Sequence, residues 1–200
     1  MAKLMVSTPS YDPRVYLETY AAMVSLDTCG MDVDCFTPEG FGIEQARTMS
    51  AKEAIKRKCD WILFVDSDMV PPKDALRNLL SHNRDMVFGY YTKGKNSEGR
   101  TCLCDVDREN YDSFMHKDEL HEMRDAGDYL VEVRGGGFGF TLLRTQILER
   151  IEEPWFSYVW AYDGRKLSED YSFCTRCRKA GIKLYADTRV DCGHVKQVVM

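Results

Sequence analysis

Apolar and polar positions alternate along this chain in two distinct rhythms, and the clearest stretch belongs to neither. Trp61-Ile62-Leu63-Phe64-Val65 is an unbroken apolar run that stops at Asp66-Ser67-Asp68. A short continuous run of this kind predicts a strand buried on both faces. Asp60 before it and Pro71-Pro72 after it mark its limits. Around it, Leu4 to Thr8 predicts a strand closed by Pro9. Asp12-Pro13 predicts a helix start with Asp12 as N-cap, and the helix runs to a glycine cap at Cys29-Gly30. Met31 to Thr37 alternates apolar and acidic residues, as a half-exposed strand does. Ile43 to Lys58 predicts a helix whose basic end suits its dipole. Pro72 to Ser81 predicts a helix with Ala75, Leu76, Leu79 and Leu80 on one face, and Asp85 to Tyr91 another strand. The order βαβαβαβ predicts a mainly parallel sheet with helices on both faces.

The rhythm fails from Thr92 to Asp128, which is polar, charged and without a period. A stretch that long inside a compact domain reads as a functional excursion or lid. Tyr129 to Val133 restores a strand, followed by a glycine-rich run, Arg134-Gly135-Gly136-Gly137-Phe138-Gly139-Phe140. Glycines this dense let the backbone approach a ligand or another strand closely. The run is neither a P-loop nor a dinucleotide fingerprint. Thr145 to Ile151 predicts a short helix. Pro154 to Tyr162 is an aromatic segment, read as core, with sugar stacking as the alternative. Ser168-Glu169-Asp170 predicts a helix start with Ser168 as N-cap, and the helix ends at Ala180-Gly181. A strand at Ile182 to Ala186 and a terminal stretch containing Gly193-His194 complete the chain.

At 200 residues this is one domain, organised as residues 1–91, an excursion at 92–128, and residues 129–200. Charged residues at 30% and hydrophobic ones at 44% are ordinary for a globular protein. The net charge of −5 argues against broad attraction to nucleic acid or anionic lipid. No apolar run has transmembrane length and no leader pattern opens the chain, so the expected place is the cytoplasm. The eight cysteines lack the spacing of a secreted disulfide framework. Cys29, Cys35 and Cys59 read as small buried hydrophobes. Cys102-x-Cys104 with Cys174-x-x-Cys177 resembles a zinc set only in count, because the second pair sits in a helical pattern. Reduced thiols are expected.

Asp66 and Asp68 fall at the carboxyl end of the central strand, where open α/β sheets bind ligands. Two carboxylates so close repel each other unless a cation lies beside them, and oxygen ligands suit Mg²⁺ or Mn²⁺. The alternative is a polar turn that caps the next helix. Glu169 and Asp170 read equally as dipole compensation, and His194 as an ordinary surface or core histidine.

In order and spacing, these pieces resemble the GT-A glycosyltransferases, within them the family 2-like group that uses nucleotide-diphospho-sugars. The carrying residues are Ala46-Arg47-Thr48, Asp66-Ser67-Asp68-Met69, Gly136-Gly137-Phe138-Gly139-Phe140 with Pro154-Trp155-Phe156, Glu169-Asp170-x-x-Phe173, and Gly193-His194. The chain departs from the family in having Thr48 where asparagine is frequent, and in lacking a C-terminal extension. The resemblance implies a single GT-A, Rossmann-like domain with a smaller antiparallel part. It also implies transfer of a sugar from a UDP- or GDP-linked donor to a glycan, lipid-linked or protein acceptor. Asp68, assisted by Asp66 and His194, would hold the metal and stabilise the leaving diphosphate. Thr8, Pro9, Arg47, Asp66 and Ser67 would contact the nucleotide, with Arg47 facing ribose or phosphate. Asp170 would take the acceptor proton as general base, and Glu169 would orient the acceptor. Two rivals stand beside this: an idle nucleotide- or sugar-binding module, and a nucleotidyltransferase.

Overall fold

A computed structural model describes residues 1–12, 14–92, 98–106, 113–160, 164 and 166–195. In chain order the elements are β1 (Lys3–Ser7), α1 (Leu17–Ser25), β2 (Asp32–Phe36), α2 (Ile43–Lys56), β3 (Trp61–Val65), β4 (Met69–Val70), α3 (Ala75–Ser81) and β5 (Met86–Tyr90). They continue with β6 (Arg100–Asp105), β7 (Phe114–His116), α4 (Lys117–Asp125), β8 (Leu130–Gly136), β9 (Phe140–Arg144) and a 3₁₀ turn at Thr145–Arg150. The last are β10 (Val159–Trp160), β11 (Lys166–Leu167), α5 (Glu169–Lys179), β12 (Leu184–Asp191) and β13 (Gly193–His194).

One sheet of nine strands, ordered β2-β1-β3-β9-β5-β12-β8-β6-β7, carries the fold. β2, β1, β3, β5, β12 and β6 run one way, and β9, β8 and β7 run against them. The class is the expected one: mixed α/β, most strands co-directional, with an antiparallel part. β3 shows why its run is apolar throughout. Ile62 and Phe64 enter one core with Ala51 and Ala54 of α2 and Phe173, Cys174 and Cys177 of α5. Trp61, Leu63 and Val65 enter the other with Leu76 and Leu79 of α3. Fully burying each such side chain stabilises the fold by about 1.5–3 kcal/mol.

Several expectations are corrected. The glycine-rich run, expected to approach a ligand or another strand, leads into β9, which lies antiparallel between β3 and β5, Leu63 opposite Leu142 and Val87 opposite Leu142. The excursion is largely built structure: β6 and β7 form the sheet's far edge, and α4 is capped by His116 and Glu119. α4 is then moored by Lys117 and His121 to Asp191 of β12. The parts of the expected lid at 93–97 and 107–112 lie outside the described residues, as does the expected first-turn Pro13. α1 starts at Leu17 without a side-chain cap, so Asp12 does not cap it. Instead the Tyr16 N–H donates to the Ser67 carbonyl at 3.1 Å, which pins the chain before the helix to the Asp66-Ser67-Asp68 loop. Cys29 and Cys35 are exposed, since β2 is an edge strand and Cys29 sits in a turn, whereas Cys59 is buried. Of the described aromatic segment, Trp155 and Phe156 are core, while Tyr158, Val159 and Trp160 are exposed.

Candidate active site

α3 begins at Ala75 with Asp74 before it, so neither motif aspartate caps that helix. The motif instead forms a loop between β3 and the short β4, and its two carboxylates turn to different partners.

Asp66 turns inward. Arg47, on α2, donates from Nη2 to Asp66 Oδ1 at 3.2 Å and from Nη1 to Glu169 Oε1 at 2.5 Å. Its guanidinium also lies over the Phe138 ring, 5.3 Å from the centroid. Arg47 and Glu169 are only 3% and 4% exposed. Burial works against the charge on Arg47, but the carboxylates of Asp66, Glu169 and Asp170 more than offset it and raise its pKa. Burial raises Asp66 above the usual carboxylate range; Arg47 opposes this, and Asp68 and Asp170 add to it. Glu169 is raised for the same reason, again against the pull of Arg47 and with Asp170 adding to it. Arg47, expected to face ribose or phosphate, has its guanidinium enclosed among carboxylates, and Glu169, expected to orient the acceptor, bonds Arg47 and is buried with it.

Asp68 turns outward. β13 pairs antiparallel with β4, His194 opposite Met69, and the Val195 N–H donates to the Asp68 carbonyl at 2.8 Å. This two-residue ladder brings His194 Nε2 to 3.0 Å from Asp68 Oδ2 across 126 positions of sequence. His194 Nδ1 lies 3.1 Å from the Thr92 carbonyl. A carbonyl only accepts, so Nδ1 carries a proton. Tyr91 packs edge-on against the imidazole with centroids 5.4 Å apart. The glycine run explains how the tyrosine fits: a Cβ on Gly139 would stand 2.6 Å from the Tyr91 ring. Those glycines admit a side chain of the protein itself.

Asp170, at the start of α5, is half-buried. Its Oδ1 accepts from the Tyr171 N–H at 2.8 Å and from the Ser168 hydroxyl. Ser168 thus bonds the carboxylate rather than capping the helix backbone. Asp170 acts electrostatically on both Arg47 and Asp66, so it belongs to the same cluster.

Ser67 and Asp68 line a cavity of about 580 Å³ with Ser10, Asp12, Arg14, Val15 and Tyr16. Of the other expected nucleotide contacts, Pro9 is buried just before this wall, and Thr8 lines a neighbouring apolar cavity under α1. Arg14, Tyr16, Tyr91 and the Thr92 carbonyl had not been singled out from sequence. Among the described residues, no group of three or more His, Cys, Asp or Glu side chains is placed to hold a metal ion. Asp66, expected as a ligand, is engaged by Arg47, which leaves Asp68 and His194 as a two-residue donor set.

No family model matches the chain, and no curated protein sequence matches it. Solved structures do. A197 from STIV superposes with a TM-score of 0.64 at 21% identity, over 98% of this chain and 87% of that one. GalNAc-T7, a GT-A glycosyltransferase solved with UDP, GalNAc and Mn²⁺, superposes with a TM-score of 0.64 at 11% identity. That match takes in 99% of this chain and 44% of GalNAc-T7, so the chain spans less than half the length of that neighbour. At these identities the likeness is one of architecture, and the chain has a GT-A-like fold.

Proposed function

We propose that the chain is a metal-dependent glycosyltransferase that moves a sugar from a UDP- or GDP-linked donor to an acceptor hydroxyl. The observation that supports this best is the Asp68–His194 pair at the carboxyl edge of the sheet. His194 Nε2 stands 3.0 Å from a carboxylate while Nδ1–H points at a carbonyl. That pair is stable only with a proton or a cation on the Nε2 side. A histidine whose other nitrogen is fixed by a backbone carbonyl is the usual arrangement for a metal ligand. One oxygen and one nitrogen donor suit Mn²⁺ or Mg²⁺, with phosphate oxygens and water completing the shell. When bound, such an ion would supply Lewis-acid neutralisation of the diphosphate.

The chain's own residues do the rest. Ser67, Ser10 and Tyr16 wall the nucleotide cavity, and Arg14 stands there paired with Asp12. Arg47 clamps Asp66 to Glu169, which holds the strand end and the start of α5 in one arrangement. Asp170, with its carboxylate oriented by Tyr171 and Ser168, takes the acceptor proton if the transfer inverts configuration. Among the described residues no helix is long and apolar enough to cross a membrane.

The test is a thermal-shift and hydrolysis panel of UDP- and GDP-sugars with Mn²⁺ or EDTA. A native-state ligand raises Tm by mass action, about 2.7 kcal/mol at a hundredfold excess over Kd. The expected outcome is stabilisation and slow donor hydrolysis, both removed by EDTA. Binding without turnover to any acceptor would favour the idle module. No response to any donor would contradict the proposal.

A further inference from the structure

The hairpin of β10 and β11 leads straight into the first turn of α5, so Lys166 stands four positions before Asp170. Trp160 pairs with Lys166 in the ladder, and the two side chains leave the same face. Lys166 Nζ reaches back over the Tyr158 ring, 3.6 Å from its centroid. Trp160 is 70% exposed, which is unusual for so large an apolar surface. The residues just before Tyr158 wall a cavity of about 520 Å³ against α2, lined by Phe41, Pro154 and Phe156 and by Glu44, Gln45 and Ser157. Lys166-Leu167 runs directly into Ser168, the residue before α5, which holds the ladder at the helix start that carries Glu169 and Asp170.

We propose that Tyr158, Trp160 and Lys166 form a platform that seats a saccharide acceptor next to Asp170. A pyranose has an apolar C–H face and a rim of hydroxyls. An exposed indole beside a phenol matches the face, and the Lys166 ammonium and Glu44 carboxylate match the rim. The purpose of the platform rests on the transferase reading, but its test does not.

Trp160 is the exposed tryptophan of the three, since Trp61 and Trp155 are 7% and 5% exposed. Intrinsic emission and acrylamide quenching therefore report on Trp160. The full chain, without nucleotide or metal, is titrated with maltose, cellobiose, lactose, mannobiose and N,N′-diacetylchitobiose. At least one of them is expected to shift the emission and protect the indole. Tyr158→Ala should weaken that binding by about fivefold or more. Trp160→Ala, followed by calorimetry, should abolish it while UDP–Mn²⁺ affinity stays as in wild type. Saccharide binding that survives Trp160→Ala overturns the proposal. So does a response to a Ser/Thr-rich peptide with none to any saccharide, which would assign the platform to a polypeptide. The two readings fail separately: loss of all nucleotide binding removes the transferase, while a saccharide response at Trp160 still supports the platform.

Discussion

Arg47 and Glu169 pair beside the Phe138 ring in a nearly sealed space, with Asp66 reaching Arg47 from its edge, whereas Asp68, two residues after Asp66, faces His194 at the wall of an open cavity. The turn at Asp66-Ser67-Asp68 between β3 and β4 sends the two carboxylates different ways, and the fold finishes each environment with a different tail of the chain. α5 closes over the first, and β13 folds back to meet the second. A charge cluster sealed in the interior is a stability element, because removing one member leaves its partners uncompensated. A half-exposed pair at a cavity wall contributes little to stability and is available for chemistry.

Substitutions at the two sites should separate these roles. Arg47→Ala should have the largest effect, a loss of about 3–5 kcal/mol in urea unfolding near neutral pH, since it strands Glu169 in the interior and takes the partner from Asp66. The deficit should shrink as pH falls and those carboxylates take up protons. A uniform deficit at every pH would show that packing on Phe138, and not charge, is what the arginine supplies. Asp68→Ala should leave unfolding within about 1 kcal/mol of wild type. Its calorimetric Mn²⁺-dependent UDP affinity should fall by about a hundredfold or more.

Gly139→Ala lies between these extremes. Its Cβ would push on the Tyr91 ring that packs against His194. The expected cost is about 1–3 kcal/mol in unfolding, with weakened metal-dependent binding. Loss of stability alone would uncouple Tyr91 from the site. His194→Ala should weaken Mn²⁺-dependent binding by about tenfold while leaving metal-free stability nearly unchanged. An unaltered affinity would leave Asp68 without its nitrogen partner.

The smallest effect is in the pH dependence of the wild type. Glu169 is raised above the usual carboxylate range chiefly by burial, so the native state holds that proton more tightly than the unfolded chain. The corresponding stability is fully present below the ordinary glutamate pKa of about 4.3 and is lost as pH rises through the raised value. Glu169→Gln should flatten that slope in urea midpoints taken between pH 4 and 8. A slope unchanged by the substitution would place its origin in another group.

The sequence shows some of this contrast and hides the rest. β3 is legible because burial on both faces leaves an unbroken apolar run, and α3 because it keeps one apolar face. β6 is hidden because Thr101-Cys102-Leu103-Cys104 is small and mixed in polarity although it is buried throughout. β9 is hidden behind the glycine run that precedes it. β4 and β13 have two residues each, too few for any period, yet they deliver His194 to Asp68. Asp68 and His194 could be singled out as chemistry-bearing types. The Thr92 carbonyl that fixes the imidazole could not, since every residue has one. The burial of Arg47 is hidden because arginine is seldom fully buried, and only the approach of α5 from 122 positions away encloses it.

On the proposed function, Asp68 and His194 would hold a divalent ion together with a nucleotide diphosphate. Paramagnetic Mn²⁺ tests it most directly, because the chain has four histidines whose ring signals can be followed by NMR. Adding Mn²⁺ at sub-stoichiometric ratio in the presence of UDP should broaden His194 first, ahead of His82, His116 and His121. Asp68→Ala should abolish that order. Broadening led by another histidine, or a His194 signal that stays sharp when UDP and Mn²⁺ are both bound, would contradict the account.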